Sequence, residues 1–298
     1  MKIYDCFQFF DEDMMLDLRL NILNKYVDKF VIVENLFLHS GKKKKKNFDI
    51  NNFKKFKDKI EYILVDKLPN DLYEIEKQPE KEKGDRVIDN TLKIEHNQRN
   101  KIFSGLKDAS ENDFIIISDV DEIPNLENIN FNAKKKLTIF KQKMFYYKFD
   151  LKYGSKPWIG SKACLKKNLI SPQWLRDVKS RVYPLWRLDI LFSKMKYNNI
   201  NLIENGGWHF TNFKTAVQLE NKLKNFGHHY EFQESSLKLD DIKKMINKNL
   251  AIYDYEADMR NNKWSGIKLN SADLNELPEY VRINKEKYAD WFRDKQRD

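Results

Sequence analysis

Apolar and polar positions along the first third of the chain predict alternating strands and helices. Lys2–Phe10 and Tyr26–Glu34 (YVDKFVIVE) are rich in β-branched and aromatic residues and read as strands. Between them Leu16, Leu20, Leu23 and Val27 recur at spacings of four, three and four, which is one face of a helix. Ile60–Val65 predicts a third strand. Asp66 to about Asp89 is dense in charge, holds Pro69, Pro79 and Gly84 and lacks apolar periodicity. It predicts a long mobile loop of the kind that serves as a lid.

Thr91–Lys107 has a helical pattern with Ile94, Ile102 and Leu106 on one side. Phe114–Ser118 (FIIIS) is a continuous apolar run, as expected of a central strand covered on both faces. Leu137–Phe149 alternates imperfectly and predicts a strand followed by an aromatic segment, while 150–212 yields no assignment. Two amphipathic helices follow, on Ala216, Leu219, Leu223 and Phe226, then on Leu239, Ile242, Ile246 and Leu250. Strands alternating with helices, then helices alone, predict an α/β sheet domain over 1–212 and a helical region over 213–298 packed on it.

The chain has 298 residues and a net charge of +10, of which Lys42–Lys46 supplies half. The basicity is therefore partly one local run, placed to steer an anionic ligand or to touch an anionic membrane surface. Cys6 and Cys164 fit no metal-ligand spacing and predict buried thiols in a reducing compartment. Asp5, Asp11, Glu12 and Asp13 interrupt what would be the apolar part of a secretion signal. No stretch reaches the ~20 apolar residues of a membrane span. These features together predict a cytoplasmic protein, peripheral to a membrane at most.

The strongest chemical signal is Ser118-Asp119-Val120-Asp121-Glu122-Ile123-Pro124, directly after the FIIIS strand. Ligands of open α/β sheets sit beyond the carboxyl ends of the strands. Asp119 and Asp121, two residues apart in extended backbone, would project to one side. Three carboxylates in four residues call for a compensating cation, and their oxygens favour Mg²⁺ or Mn²⁺. The ordinary alternative is a helix cap with solvated neighbours. Gly206-Gly207-Trp208-His209-Phe210 is the second signal: the glycines allow close backbone approach, and His209 as a third ligand would tilt the preference toward Mn²⁺. A histidine between aromatics is also a common structural residue. In Glu95-His96-Asn97-Gln98-Arg99-Asn100, Arg99 is either an anion clamp or the partner of Glu95 in an i,i+4 pair.

Taken in order, IYDCFQFFDEDMMLDLRLNIL, VDKFVIVENLFLHSGK, EHNQRNKIFSGL, DFIIISDVDEIP, PWIGS and GGWHF resemble the family-17 glycosyltransferases, the group of the bisecting N-acetylglucosaminyltransferases. The match runs from Ile3 to about Phe213, and SDVDEIP and GGWHF are its most specific blocks. The resemblance implies a GT-A type, Rossmann-like mixed sheet flanked by helices. It implies an inverting enzyme that moves a sugar, N-acetylglucosamine foremost, from a UDP-sugar to a glycan hydroxyl with Mn²⁺ or Mg²⁺. Asp119, Asp121 and His209 would hold the metal, and Glu34, Arg99, Asp119 and Gly207 would contact the donor. Inversion needs a base for the acceptor hydroxyl. Glu122 is the first candidate, for its place beside the metal motif, with Asp150, Asp177, Asp189 and Glu204 behind it. Trp158, Trp186 and Trp208 (with Trp174) are candidates for stacking on acceptor sugars in a region of about 145–212.

Two other functions fit parts of the pattern. A metal-dependent phosphoesterase or nuclease would use the clustered carboxylates, but it needs more ligands and a spread basic face, so no nucleic-acid partner is expected. A non-catalytic carbohydrate-binding protein would use the aromatics without the aspartates.

Overall fold

The central strands are buried on both faces and their side chains alternate between them, so one sheet separates two apolar layers. The computed structural model describes residues 1–293 apart from 130, 132, 133, 155, 185, 226–231, 233, 234, 257–262 and 265. In chain order the elements are β1 (Ile3–Phe9), α1 (Asp13–Leu23), β2 (Lys29–Asn35), β3 (Ile60–Val65), α2 (Glu80–Asn100), β4 (Phe114–Asp119), β5 (Glu122–Pro124), β6 (Leu137–Phe140) and β7 (Lys143–Tyr146). Then come β8 (Leu151–Lys152), β9 (Lys162–Leu165), α3 (Pro172–Asp177), α4 (Asp189–Phe192), β10 (Ile200–Ile203), β11 (Gly207–Thr211) and α5 (Ala216–Asn225). A helix over Leu239–Asn247, strands β12 (Leu250–Ala251), β13 (Ile267–Lys268) and β14 (Asn270–Ser271), and a helix over Glu279–Ile283 complete the fold.

The main sheet has seven strands in the order β10-β6-β9-β4-β1-β2-β3. β4, β1, β2 and β3 run parallel, whereas β9 is antiparallel to both β4 and β6. This is the expected mixed sheet flanked by helices. Phe7, Phe9, Phe30, Ile32, Phe114 and Ile116 face one side, against Leu16, Leu20 and Leu23 of α1. Tyr4, Cys6, Val31, Val33, Ile115 and Ile117 face the other, against Ile102, Leu106, Trp174 and Leu175. Both cysteines are free and buried in that second layer, and burial pushes the Cys164 thiol up to about 12.

A second sheet, β14-β8-β7-β11-β5, receives the chain as it leaves β4. β4 ends at Asp119 and β5 starts at Glu122, so the two-residue turn Val120-Asp121 carries the backbone from one sheet to the other. β11 pairs antiparallel with β5, setting His209 opposite Glu122, and the Phe210 N–H donates to Asp121 O at 2.9 Å. Gly207 permits this approach: it has φ +132°, and a Cβ there would lie 2.2 Å from Ile123 O.

Several expected elements differ. The segment 66–89 is not one long loop, because α2 begins at Glu80 and runs 21 residues to Asn100. Its first half lies on the surface and is supported by charge rather than by an apolar stripe. Lys83 pairs with Glu80 at 2.6 Å, and Arg86 pairs with Asp89 at 3.2 Å and Glu82 at 3.4 Å. Burial starts only at Thr91, Ile94, Gln98 and Arg99. The helix expected to reach Lys107 tightens into a 3₁₀ segment over Lys101–Leu106. The stretch 137–149 holds two strands rather than one. Of the late helices, Leu250 falls on β12 instead of the preceding helix, and Phe226 lies outside the described residues. The C-terminal part also returns strand β14 to the second sheet, antiparallel to β8.

One buried ion pair ties α1 to the inter-sheet turn. Arg19 Nε and Nη2 meet Asp5 Oδ2 and Oδ1 at 2.7 and 2.6 Å, and both side chains are fully buried. Arg19 Nη1 donates to the carbonyls of Asp119 (3.0 Å), Val120 (3.2 Å) and Glu122 (2.7 Å). Arg19→Met should strand Asp5 as an unpaired buried charge and cost about 3–5 kcal/mol. Chemical denaturation checks this, and Asp5→Asn/Arg19→Met should lose less than Arg19→Met alone.

Candidate active site

A cleft of about 290 Å³ opens over the carboxyl ends of β1, β2 and β4, where Gln8–Phe10, Asn35 and Asp119–Glu122 line it. α2 contributes Glu95, Gln98 and Arg99, the second sheet contributes His209 and Thr211, and Trp158 and Tyr255 close one side. Its deepest side chains are organised by two arginines.

Arg99 Nη2 reaches Glu95 Oε1 at 2.6 Å and Asp119 Oδ1 at 3.1 Å, and its Nη1 binds Gln173. Arg176 Nη2 takes the other Asp119 oxygen at 2.9 Å, while its Nη1 meets Glu122 Oε2 at 2.5 Å. Burial alone would raise the Asp119 carboxyl, but Arg176 and then Arg99 outweigh it and hold it well below the usual carboxylate range. Glu95 behaves likewise: burial opposes ionisation and Arg99 wins, lowering it. Arg99 thus makes the i,i+4 ion pair with Glu95 and also lines the cleft.

Asp121 has a different environment. It faces His209, with Oδ2 3.6 Å from Nε2. Burial would raise its carboxyl, and His209 brings it below the ordinary value. The Trp158 ring stacks on His209 at 4.6 Å between centroids and 30° between planes. His209 Nδ1 is buried and has no hydrogen-bond partner among the described residues.

The expected site residues therefore divide. Asp119, Asp121, Glu122, Arg99, Trp158 and His209 share one cleft. Asp121 and His209 form a pair, but Asp119 is bound by arginines on both oxygens. Among the described residues no three His, Cys, Asp or Glu side chains cluster closely enough to hold a metal ion.

Glu122 does not have the geometry of a base. It is 1% exposed and accepts from Arg176, from Trp158 Nε1 at 2.8 Å and from the Asp119 N–H at 2.8 Å, so its lone pairs are used. Asp150 lies away from the cleft and binds Arg293 Nε at 2.9 Å. Asp177, Asp189 and Glu204 bind Gln173, Arg187 with Lys196, and Lys141, respectively, and do not line the cleft.

Glu34 is an internal anchor rather than a donor contact. It is fully buried and accepts from the N–H groups of Asn47 (2.7 Å) and Phe48 (3.0 Å), from Tyr62 OH (2.8 Å) and from Lys44 (2.5 Å). The lysine run is thus partly pinned, with Lys44 at the cleft wall and the other four lysines exposed. Gly207 serves strand approach and does not line the cleft. Trp208 Nε1 donates to Glu276 O at 2.7 Å, Trp174 Nε1 to Lys194 O at 2.6 Å, and Trp186 is 79% exposed, so none of the three reaches the cleft.

Residues not singled out from the sequence complete the site. Arg176 stands in the unassigned stretch 150–212, and nothing in its spacing separates it from other surface arginines. Arg19 sits among leucines on the predicted buried stripe, which is a readable signal, because an arginine there must find a partner. Lys222 of α5 also lines the cleft and reaches Asn212 at 3.4 Å.

The cleft lies over the carboxyl ends of parallel strands in a mixed α/β fold and holds a carboxylate–imidazole pair beside an arginine-braced acidic motif. The glycosyltransferase family 17 profile matches residues 1–291, and the chain belongs to that family; it is a glycosyltransferase. Comparison with curated proteins gives no significant match.

Arg176→Met should leave Glu122 buried without its cation and lower stability by about 3–5 kcal/mol, with partial recovery in Arg176→Met/Glu122→Gln; urea unfolding of the variants tests it. Lys162, on β9, clamps the carbonyls of Arg176 and Val178. Burial, then the charge of Arg176, lowers its pKa to about 8, against about 10.4 for an unfolded lysine. Between those values the unfolded chain binds a proton that the folded one does not, so this group makes stability rise with pH. Lys162→Met should remove that rise between about pH 8 and 10, read as the difference in unfolding free energy between the two proteins.

Proposed function

We propose that the enzyme is an inverting, metal-dependent transferase of GT-A type that moves a sugar, N-acetylglucosamine foremost, from a UDP-sugar to a glycan hydroxyl. The observation that carries this reading is the Asp121–His209 pair. It joins a carboxylate oxygen and an imidazole at 3.6 Å inside the cleft, and the buried His209 Nδ1 has no partner among the described residues. This donor set suits Mn²⁺ over Mg²⁺. The ligand set is narrower than the sequence suggests: Asp121 and His209 would hold the ion, and Asp119 acts through Arg99 and Arg176. When bound, the ion supplies Lewis-acid stabilisation to the diphosphate leaving group.

The chain's own residues do the rest. Arg99 and Arg176 pair with Asp119, Glu95 and Glu122 and offset two of their three charges, so a diphosphate in the cleft meets far less repulsion than from three unpaired carboxylates. Lys44 and Lys222 add positive charge at the walls. Trp158, fixed by its bond to Glu122 and its stack on His209, limits water near the pair. The exposed lysines of the 42–46 run steer an anionic donor toward the cleft. No helix among the described residues is long and apolar enough to cross a membrane.

UDP with Mn²⁺ should raise the unfolding temperature of the wild-type protein, corresponding to about 2.7 kcal/mol at a hundredfold excess over Kd. EDTA should abolish the shift, and Asp121→Ala and His209→Ala should lack it and lose roughly 10²- to 10³-fold in transfer rate. Equal stabilisation of Asp121→Ala by UDP and Mn²⁺ would overturn the reading.

A further inference from the structure

A second cavity, also of about 290 Å³, adjoins the cleft and shares Glu12, Asp121 and Lys222 with it. It is built by the start of α1, the end of β11 with Phe213 and Lys214, and the face of α5 that carries Gln218 and Lys222. Trp291 from the C-terminal segment lines it and is stacked on Phe213, with ring centroids 5.7 Å apart and 28° between planes.

Among the described residues five carboxylates line the first cleft, and four are accounted for. Glu95, Asp119 and Glu122 are bound by arginines, and Asp121 faces His209. The fifth, Glu12, faces both cavities. Its Oε2 accepts from the N–H groups of Asp11 (3.1 Å) and Phe10 (3.2 Å), which fixes the carboxylate plane. Among the described residues its Oε1 has only Lys214, at 3.9 Å, and that lysine is held by Asp11. One oxygen is thus anchored and the other is left for a ligand.

Inverting transfer brings the acceptor hydroxyl to the anomeric carbon from the side opposite the diphosphate. The acceptor therefore needs space that joins the donor cleft without coinciding with it. The second cavity meets that need, and its mixture of an aromatic ring with amide, carboxylate and ammonium groups suits a hydroxylated ring with an apolar C–H face.

We propose that this second cavity is the acceptor-sugar subsite, and that Glu12 on the shared wall takes the proton from the attacking hydroxyl. In the step, the acceptor O–H bond gives its proton to Glu12 Oε1. The oxygen bonds to the anomeric carbon, and the bond from that carbon to the diphosphate breaks with its electron pair on the nucleoside diphosphate. Burial raises the Glu12 carboxyl, against the opposing charges of Lys214 and Lys222, which favours proton uptake. The proposal rests on the donor reading of the first cleft.

Glu12→Gln keeps an oxygen for the two N–H groups, so its unfolding temperature and its stabilisation by UDP with Mn²⁺ should match wild type. Transfer from UDP-N-acetylglucosamine to p-nitrophenyl hexosides, assayed as a panel of probes, should fall about 10²- to 10⁴-fold. Formate should restore part of the rate in Glu12→Ala, a rescue that a merely structural role would not give. Trp291→Ala should raise KM for the hexoside at least about 10-fold with donor KM unchanged. Retained transfer in Glu12→Gln, or loss of UDP–Mn²⁺ stabilisation in that variant alone, would overturn the proposal. If wild type itself shows no stabilisation by UDP with Mn²⁺, the donor reading fails instead.

Discussion

The fork of Arg19 on Asp5 is the contact on which the rest of the site depends. Asp5 is inside the central sheet and Arg19 is inside the helix that covers it, and both are fully buried. A pair in that setting is retained only when every donor is satisfied, and the third guanidinium nitrogen finds the carbonyls of Asp119, Val120 and Glu122. Those carbonyls belong to the turn that takes the chain from the first sheet to the second. The same interaction therefore seats α1, neutralises a core carboxylate and sets the backbone from which Asp121 projects.

Charge in the acidic motif is distributed by position along that turn. The residues at its two ends, Asp119 and Glu122, point to Arg176, and Asp119 also meets Arg99. Asp121 in its middle has only the His209 imidazole within ion-pair distance among the described residues. An acidic run that would repel itself is thus divided into a braced frame and a single carboxylate available for chemistry. Glu34 follows the same logic, for it spends both oxygens on the 44–48 segment and places Lys44 at the cleft wall.

Much of this was legible in the amino-acid sequence. The strand Phe114–Asp119 lies where an apolar run predicts it, since a strand buried on both faces leaves little freedom of composition, and Ile60–Val65 is found where expected as a partly exposed edge strand. The stripe of leucines placed α1. Helix α2 was legible only in part, because its first half rests on i,i+3 and i,i+4 ion pairs, and such pairs leave no hydrophobic period to read. From the motif blocks Asp121 and His209 were expected as metal ligands, Arg99 as a donor contact and Trp158 as an acceptor contact, and in the structure all four line one cleft.

What the sequence by itself determined is the family, the mixed sheet and the neighbourhood of the chemistry, because these follow from local periodicity and short motifs. Only the tertiary structure decided which carboxylates are braced and which are open. Arg176 lies 57 residues from Asp119 and 54 from Glu122, and no spacing rule connects them. The roles of Glu122, Asp150, Glu34 and Gly207 changed for one reason: a carboxylate's availability and a glycine's purpose depend on what lies opposite them across strands and layers. Glu12 entered the site the same way, as a residue at the start of a helix whose function is set by the two cavities that meet at its side chain.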